Sequence, residues 1–165
     1  MQLNGLIHTF SSQVKLFLAA FVIVLSIGFY TGLLFVGETS TTDPDGIEEN
    51  YLGNEDVEDA VVMKFKKGNR EMLTIVHTHI LSMSFIFFLL GGILMTTSLP
   101  TQLKTFLLVE PFVSVVVTFG SIYLLWLGFT WTKYLVIISG IFMTASFTIS
   151  AGVILYQLIM GTEKK

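Results

Sequence analysis

Two of the three histidines in this sequence, His77 and His79, stand at the start of a long apolar run. An imidazole can bind haem iron or hydrogen-bond a quinol, and an ionisable residue in a membrane helix usually has a function. Residues two apart on a regular helix point in nearly opposite directions, so the two rings cannot face one ligand. We therefore expect at most one of them to face the interior of a helical bundle.

The candidate cofactor-binding residues are His77, His79 and Met83, and together they do not complete a haem site. A haem b between membrane helices usually needs an axial ligand on each side. Met83 follows His79 by one helical turn and lies on the same face, whereas His8 is expected at the opposite membrane surface. Three roles stay open for the pair: binding haem b with a methionine or a partner subunit's residue, hydrogen-bonding a quinol, or anchoring the helix at the lipid interface.

Glu110 is the one carboxylate within the apolar runs. Pro111 follows it, and a proline inside a helix removes a backbone hydrogen bond and frees a carbonyl nearby. A carboxylate in a membrane can serve as a proton relay or as the acid of a quinone site. The alternative is that Glu110 lies close to the membrane edge and either reaches the surface or pairs with Lys104.

A polar segment holds the third group of candidates. Asp43, Asp45 and Glu48 carry oxygen ligands, but their spacing does not match the twelve-residue calcium loop, so we interpret them as solvated turn residues. Tyr51 and Asn54 are typical of a specific turn or of a surface that contacts a neighbouring protein. No metal site and no catalytic residue is predicted.

The composition defines the class of protein. Mean hydropathy is +0.77, with 53% hydrophobic and 13% charged residues, which indicates a polytopic membrane protein. Ten of the twelve acidic residues lie between Glu38 and Glu71. The absence of cysteine excludes disulfides, iron–sulfur clusters and covalent haem c on this chain. No nucleotide loop, metalloprotease motif or serine nucleophile motif occurs, and the basic residues are too few for nucleic-acid binding.

Four apolar runs predict four membrane helices at about 15–36, 70–98, 104–127 and 134–160, each of roughly the ~20 residues or more that cross a ~30 Å hydrocarbon layer. Short links between the last three predict antiparallel neighbours. The predicted fold is all-α: a single domain, 1–165, formed by an up-down-up-down four-helix transmembrane bundle with one acidic extramembrane loop at 38–69.

Glycine spacing and charge bear on packing and orientation. Gly28 and Gly32 form a GxxxG pair on the first span, for which we favour packing against another helix of the same chain over a dedicated oligomer interface. Lysine and arginine are nearly balanced between the two membrane sides, so the positive-inside rule does not decide the orientation. We expect both termini inside and the acidic loop outside, because a long acidic loop is readily translocated.

Two short motifs resemble those of a family of small four-span bacterial membrane proteins without an assigned activity. They are Gly46-Ile47-Glu48-Glu49 with Tyr51, Gly53 and Asn54, and His77-Thr78-His79 with Ser82-Met83. The resemblance implies a bacterial inner membrane, a periplasmic acidic loop and an association with respiratory or c-type-cytochrome electron transfer. It carries over no catalytic role, and draws attention to His77, His79, Glu48, Tyr51 and Asn54.

Three hypotheses of function follow. The first is an integral subunit or accessory protein of a bacterial respiratory electron-transfer complex that contacts haem b or a quinol at the periplasmic end of the second span. We expect it to act as a subunit of a larger complex rather than as an enzyme on its own, with lipids and other membrane or cytochrome subunits as partners. The second is a cofactor-free assembly subunit that packs against larger membrane subunits and docks a soluble partner through its acidic loop. The third is an ion or proton transporter that uses Glu110.

Overall fold

The computed structural model describes residues 3–40, 43–55 and 62–160, with the side chains of 39 and 40 left out. Parts of the predicted loop, 41–42 and 56–61, and both chain ends therefore lie outside the described residues. Within the described part the chain forms five α-helices: α1 (Ser12–Ser40), α2 (Pro44–Leu52), α3 (Asn69–Leu94), α4 (Thr101–Trp126) and α5 (Lys133–Met160).

Four of these helices, α1, α3, α4 and α5, are long and apolar enough to cross a membrane. The short links after α3 and α4 reverse the chain; Gly128, at φ 105°, takes the left-handed conformation that ends α4, and a 3₁₀ turn at Thr130–Thr132 leads into α5. The predicted all-α, polytopic four-helix bundle is confirmed.

The centre of the bundle is α5, which packs against α1, α3 and α4. Its Phe147 is fully buried and stacks face to face on Phe29 of α1, with ring centroids 3.9 Å apart. Phe87 of α3 meets the same ring edge-on at 6.3 Å. Aromatic contacts of this kind add to close packing, so one side chain joins three membrane helices.

Lys104 closes the end of the bundle that carries the N-terminal segment. Its ammonium group donates to the carbonyl oxygens of Thr97 at 2.5 Å and Met95 at 3.2 Å, and to the Asn4 side chain at 2.6 Å. Both carbonyls lie just beyond the last residue of α3, where helix termini leave groups without intrahelical partners, and the Thr97 carbonyl also accepts from the Gly5 backbone nitrogen at 3.3 Å.

His8 lies at this same end, where its Nε2 is 3.2 Å from the Ser98 hydroxyl oxygen. Gln157 of α5 hydrogen-bonds both the backbone nitrogen and the carbonyl oxygen of Ser98, at 2.7 and 3.0 Å. The third histidine is therefore separated from His77 and His79 by most of the length of α3, in agreement with the sequence prediction.

The GxxxG pair of α1 does not contact another helix of this chain. Gly28 and Gly32 are exposed, and a β-carbon added to either would meet no atom within 4 Å. The predicted packing within the chain is wrong for this pair, because α1 contacts α5 through a neighbouring face of the helix, on which Phe29 lies.

Candidate functional site

The His79 ring is held in place on the α3–α4 face of the bundle. Its Nδ1 lies 2.7 Å from the carbonyl oxygen of Ile75, one turn earlier on α3. A carbonyl oxygen can only accept, so Nδ1 is the donor, and in the neutral ring this leaves Nε2 as the acceptor nitrogen. The ring also stacks on Phe119 of α4, with centroids 4.9 Å apart.

The other ring nitrogen of His79, Nε2, is the atom that could bind a ligand. It has no hydrogen-bond partner among the described residues, and the His79 side chain is exposed at the outer surface of the bundle. Protonation at Nδ1 and orientation by a backbone carbonyl are what a metal-binding or hydrogen-bond-accepting imidazole requires. Phe119 lies seven residues before the end of α4, about 10 Å along the helix, so the ring is inside the span.

His77 and Met83 do not join His79 in one site. His77 is exposed, and Met83 is partly buried and packs against the apolar core. No group of three or more histidine or acidic side chains comes together as a metal site in the described ranges. The structure thus leaves a single oriented imidazole where the sequence offers three candidate ligands.

The described parts of the acidic loop, 43–55 and 62–68, fold back as a cap on the bundle; Asp45 stays 86% exposed, but it lies in the helix α2 rather than in a turn. Asp43 caps α2, accepting a hydrogen bond at 2.8 Å from the Gly46 backbone, and Pro44 follows at the first helical position. Lys133 then pairs with Asp45 at 2.9 Å and Glu48 at 2.7 Å. These ion pairs fix α2 to the start of α5, and α2 also contacts α1 and α4.

Asn54 and Tyr51 hold the returning chain. The Asn54 amide donates to the Val62 carbonyl oxygen at 3.0 Å, and its oxygen accepts from the Lys64 backbone at 2.7 Å. The Tyr51 carbonyl accepts from the Lys67 backbone at 3.2 Å. Burial raises the pKa of the Tyr51 hydroxyl, while a hydrogen bond to the Asn50 side chain opposes this shift.

The indole of Trp126 attaches the end of this loop to the bundle. Trp126, in the last turn of α4, donates from Nε1 to the Lys67 carbonyl oxygen at 2.8 Å, and the Lys66 ammonium lies 5.5 Å from its ring. The loop motif therefore makes polar contacts inside this chain through the side chains of Glu48 and Asn54 and through the backbone of Tyr51.

Gly53→Ala is expected to destabilise the folded cap relative to its detached state by about 1–3 kcal/mol, the cost of strain at a sparsely populated backbone conformation. Gly53 has φ 84°, and an added β-carbon would lie 2.7 Å from the Lys66 nitrogen and 2.8 Å from the Lys64 carbonyl oxygen. Limited proteolysis of the chain in nanodiscs measures the effect as faster cleavage after Lys64, Lys66 and Lys67.

Gly68→Ala is the matched control, since Gly68 has an extended backbone at φ −71° and an added β-carbon there meets nothing within 4 Å. It should leave the cleavage rate unchanged. Equal cleavage of the two variants would contradict the role assigned to Gly53.

Glu110 turns into the α4–α5 interface. Its two carboxyl oxygens accept hydrogen bonds from the hydroxyls of Ser114, one turn later on α4, and Ser146 on α5. Lys104 is engaged elsewhere, so the predicted alternative of a Glu110–Lys104 pair is wrong. Glu110 has no cationic partner in the described ranges of the chain.

A groove of about 260 Å³ opens beside Glu110 between α4 and α5. Ser139, on its wall, is buried and shares a 2.6 Å hydrogen bond with the Thr118 hydroxyl. Besides Ser114, the rest of the lining is apolar: Phe106, Val113, Val117, Leu135, Ile138 and Phe142. The sequence analysis predicted Glu110 as a candidate but not its hydrogen bond to Ser146, because Ser146 lies on another helix.

Four apolar spans, an acidic cap on one face and two polar side chains within the bundle define a polytopic helical membrane protein. Residues 41–165 match the family model Aq_1264_TM, described as a transmembrane helical domain, and the chain belongs to this family. The match contains α2 to α5, and with them His79, the cap and Glu110. No curated protein and no solved structure matches the chain.

Proposed function

We propose that the protein is an integral subunit or accessory protein of a bacterial respiratory electron-transfer complex and that it contributes one imidazole, His79, to a site shared with another chain. The observation that carries this proposal is the way His79 is held: Nδ1 donates to the Ile75 carbonyl, the ring stacks on Phe119, and the residue is exposed, with no partner for Nε2 among the described residues. An imidazole fixed in this way is prepared for a ligand that approaches from outside the bundle.

The residues present fit half of a haem site. Haem b commonly takes two axial ligands in electron-transfer proteins, and His79 would supply one of them. His8 is at the other end of the bundle, and Met83 packs into the core. A haem bound here would lie at the outer surface of α3 and α4, with its second ligand from a neighbouring subunit. Bound there, it would carry single electrons between partner proteins.

A quinol is the other ligand that suits this imidazole. The exposed Nε2 can accept a hydrogen bond from a quinol hydroxyl, and the site lies within the span, where lipid-soluble molecules diffuse. In either case we place the protein in the bacterial inner membrane, with the capped loop on the periplasmic side and both termini in the cytoplasm.

The contacts of the loop weigh against the alternative of an assembly subunit that docks a soluble partner through Glu48, Tyr51 and Asn54. Glu48 is paired with Lys133, and Asn54 is buried and bonded to the returning chain. Residues with these internal roles support the fold of the cap, and we therefore propose His79 as the partner contact instead.

Native purification from the source membrane in a mild detergent tests the proposal. We expect tagged wild-type protein to bring down a cytochrome or quinol-oxidising subunit, and His79→Ala to lose the redox group while retaining the fold. His77→Ala is the matched control, because its ring is exposed and lies outside the site. Loss of the redox group in both variants alike, or its absence from the wild-type complex, would refute the role of His79.

A further inference from the structure

Glu110 is a carboxyl group placed within the hydrocarbon without a charged partner. It follows the first residue of α4 by nine positions, about 14 Å of helix, which puts it about 10 Å inside a ~30 Å core centred on α4. A polar side chain at this depth is costly unless its hydrogen bonds are satisfied. Ser114 and Ser146 satisfy part of that requirement.

The carboxyl retains capacity to accept further hydrogen bonds. Each carboxyl oxygen has two lone-pair directions, and the serines supply one donor to each oxygen. Ser139 cannot act as the missing donor, because its hydroxyl is committed to the Leu135 carbonyl at 2.6 Å and to Thr118. A molecule entering the groove with its own O–H group would therefore find an acceptor.

The shape of the groove restricts what can enter. Its volume of about 260 Å³ is close to the lower range of small-molecule sites, which are mostly apolar with a few placed polar groups. Four lining residues, Phe106, Val113, Ile138 and Phe142, are exposed on the outer face of the bundle. The entrance therefore faces lipid, and an entering molecule must be lipid-soluble.

Two aromatic residues stand on either side of the carboxyl. Phe106 precedes Glu110 by one turn on α4, and Phe142 precedes Ser146 by one turn on α5. Because the two helices are antiparallel, the rings flank Glu110 from opposite membrane directions. An aromatic ring inserted between α4 and α5 would gain contacts with both phenylalanines as well as the hydrogen bond.

We propose that this groove binds a lipid-soluble aromatic alcohol, the chemistry of a hydroquinone head group, with its hydroxyl donating to Glu110 and its apolar substituent lying along α4 and α5 toward lipid. A phospholipid head group does not fit, since it would have to leave the interface. The site uses a different helix pair from His79 and does not depend on the role proposed for that residue.

Photolabelling of the full chain in lipid nanodiscs tests this site. The probe is a short-chain hydroquinone carrying an azide, and peptide mass spectrometry locates the label. The competitors are the same hydroquinone without the azide and its dimethyl ether, which has the same ring but no O–H donor. We expect the label on the α4 and α5 groove residues and about tenfold stronger competition by the hydroquinone, the ratio expected for a hydrogen bond to a carboxyl.

Variants separate the hydrogen bond from the shape. Glu110→Leu should abolish the difference between the two competitors. Val113→Phe, which fills the groove, should abolish labelling, whereas Val116→Phe, the same change on an exposed position of α4 outside the groove, should not. The valine pair keeps the test decisive if the leucine variant does not fold.

Three outcomes would overturn the proposal. Equal competition by the hydroquinone and its dimethyl ether in the wild-type protein would mean that the groove takes any apolar chain. Undiminished labelling of Val113→Phe would place the probe elsewhere. A label confined to peptides outside α4 and α5 would exclude the groove as the site.

Discussion

Phe147→Ala is expected to destabilise the bundle by about 3 kcal/mol, the low end of the range for removing a buried phenylalanine. The low end applies because lipid is as apolar as the side chain, so the penalty comes from lost packing and a cavity rather than from exposure to water. Phe147 is the residue through which α5 contacts both Phe29 and Phe87, and the change should detach α1 first.

Equilibrium unfolding in mixed micelles of denaturing and mild detergent measures this effect. Phe88→Ala is the matched control, because Phe88 is 68% exposed on the lipid face of α3 and should change stability by less than about 0.5 kcal/mol. If the two variants unfold at the same detergent fraction, the central packing role assigned to Phe147 is wrong.

Lys104→Met is expected to lower the free energy of unfolding by about 2–3 kcal/mol. Hydrogen bonds to a charged group contribute more than neutral ones, and the partners lose this donor. Lys104 donates to two carbonyls at the end of α3 and to Asn4, so the change frees the N-terminal segment as well as the α3–α4 turn. Hydrogen exchange of residues 3–10 and 93–99 reports both effects directly.

Lys64→Met serves as the comparison for Lys104. The Lys64 side chain has no polar contact within the described part of the chain, and its backbone bond to Asn54 survives the substitution. Its unfolding should match the wild type. A Lys104→Met protein with unchanged exchange in both segments would mean that the ammonium group does not close this end of the bundle.

The membrane architecture was predictable because it follows from long-range averages of the sequence. Four apolar runs, separated by polar or glycine-containing links, can only cross a membrane as helices that satisfy their own backbone groups. The cap was harder to predict. Its residues favour turns by composition, yet Asp43-Pro44 is a helix N-cap followed by proline at the first position, and that local signal would have indicated α2.

The site partners were not predictable from spacing on one helix. Lys104 and Glu110 are close enough along α4 to suggest a pair. Lys104 instead donates to Asn4 and Thr97, and Glu110 accepts a hydrogen bond from Ser146. Both choices depend on how separate helices meet.

The opposed directions of His77 and His79 were predictable, since helical geometry alone separates them. Which of the two rings stacks on Phe119 was not predictable.

A reduced-minus-oxidised ultraviolet–visible spectrum of the natively purified complex, in which haem b absorbs in the visible and a quinone in the ultraviolet, tests most directly whether His79 is half of a redox site. We predict a haem b or quinol-linked signal in the wild type and in His77→Ala, and its loss or shift in His79→Ala at equal protein content. A signal unchanged by His79→Ala, or no redox signal in the wild-type complex under conditions of adequate haem and quinol supply, would contradict the account.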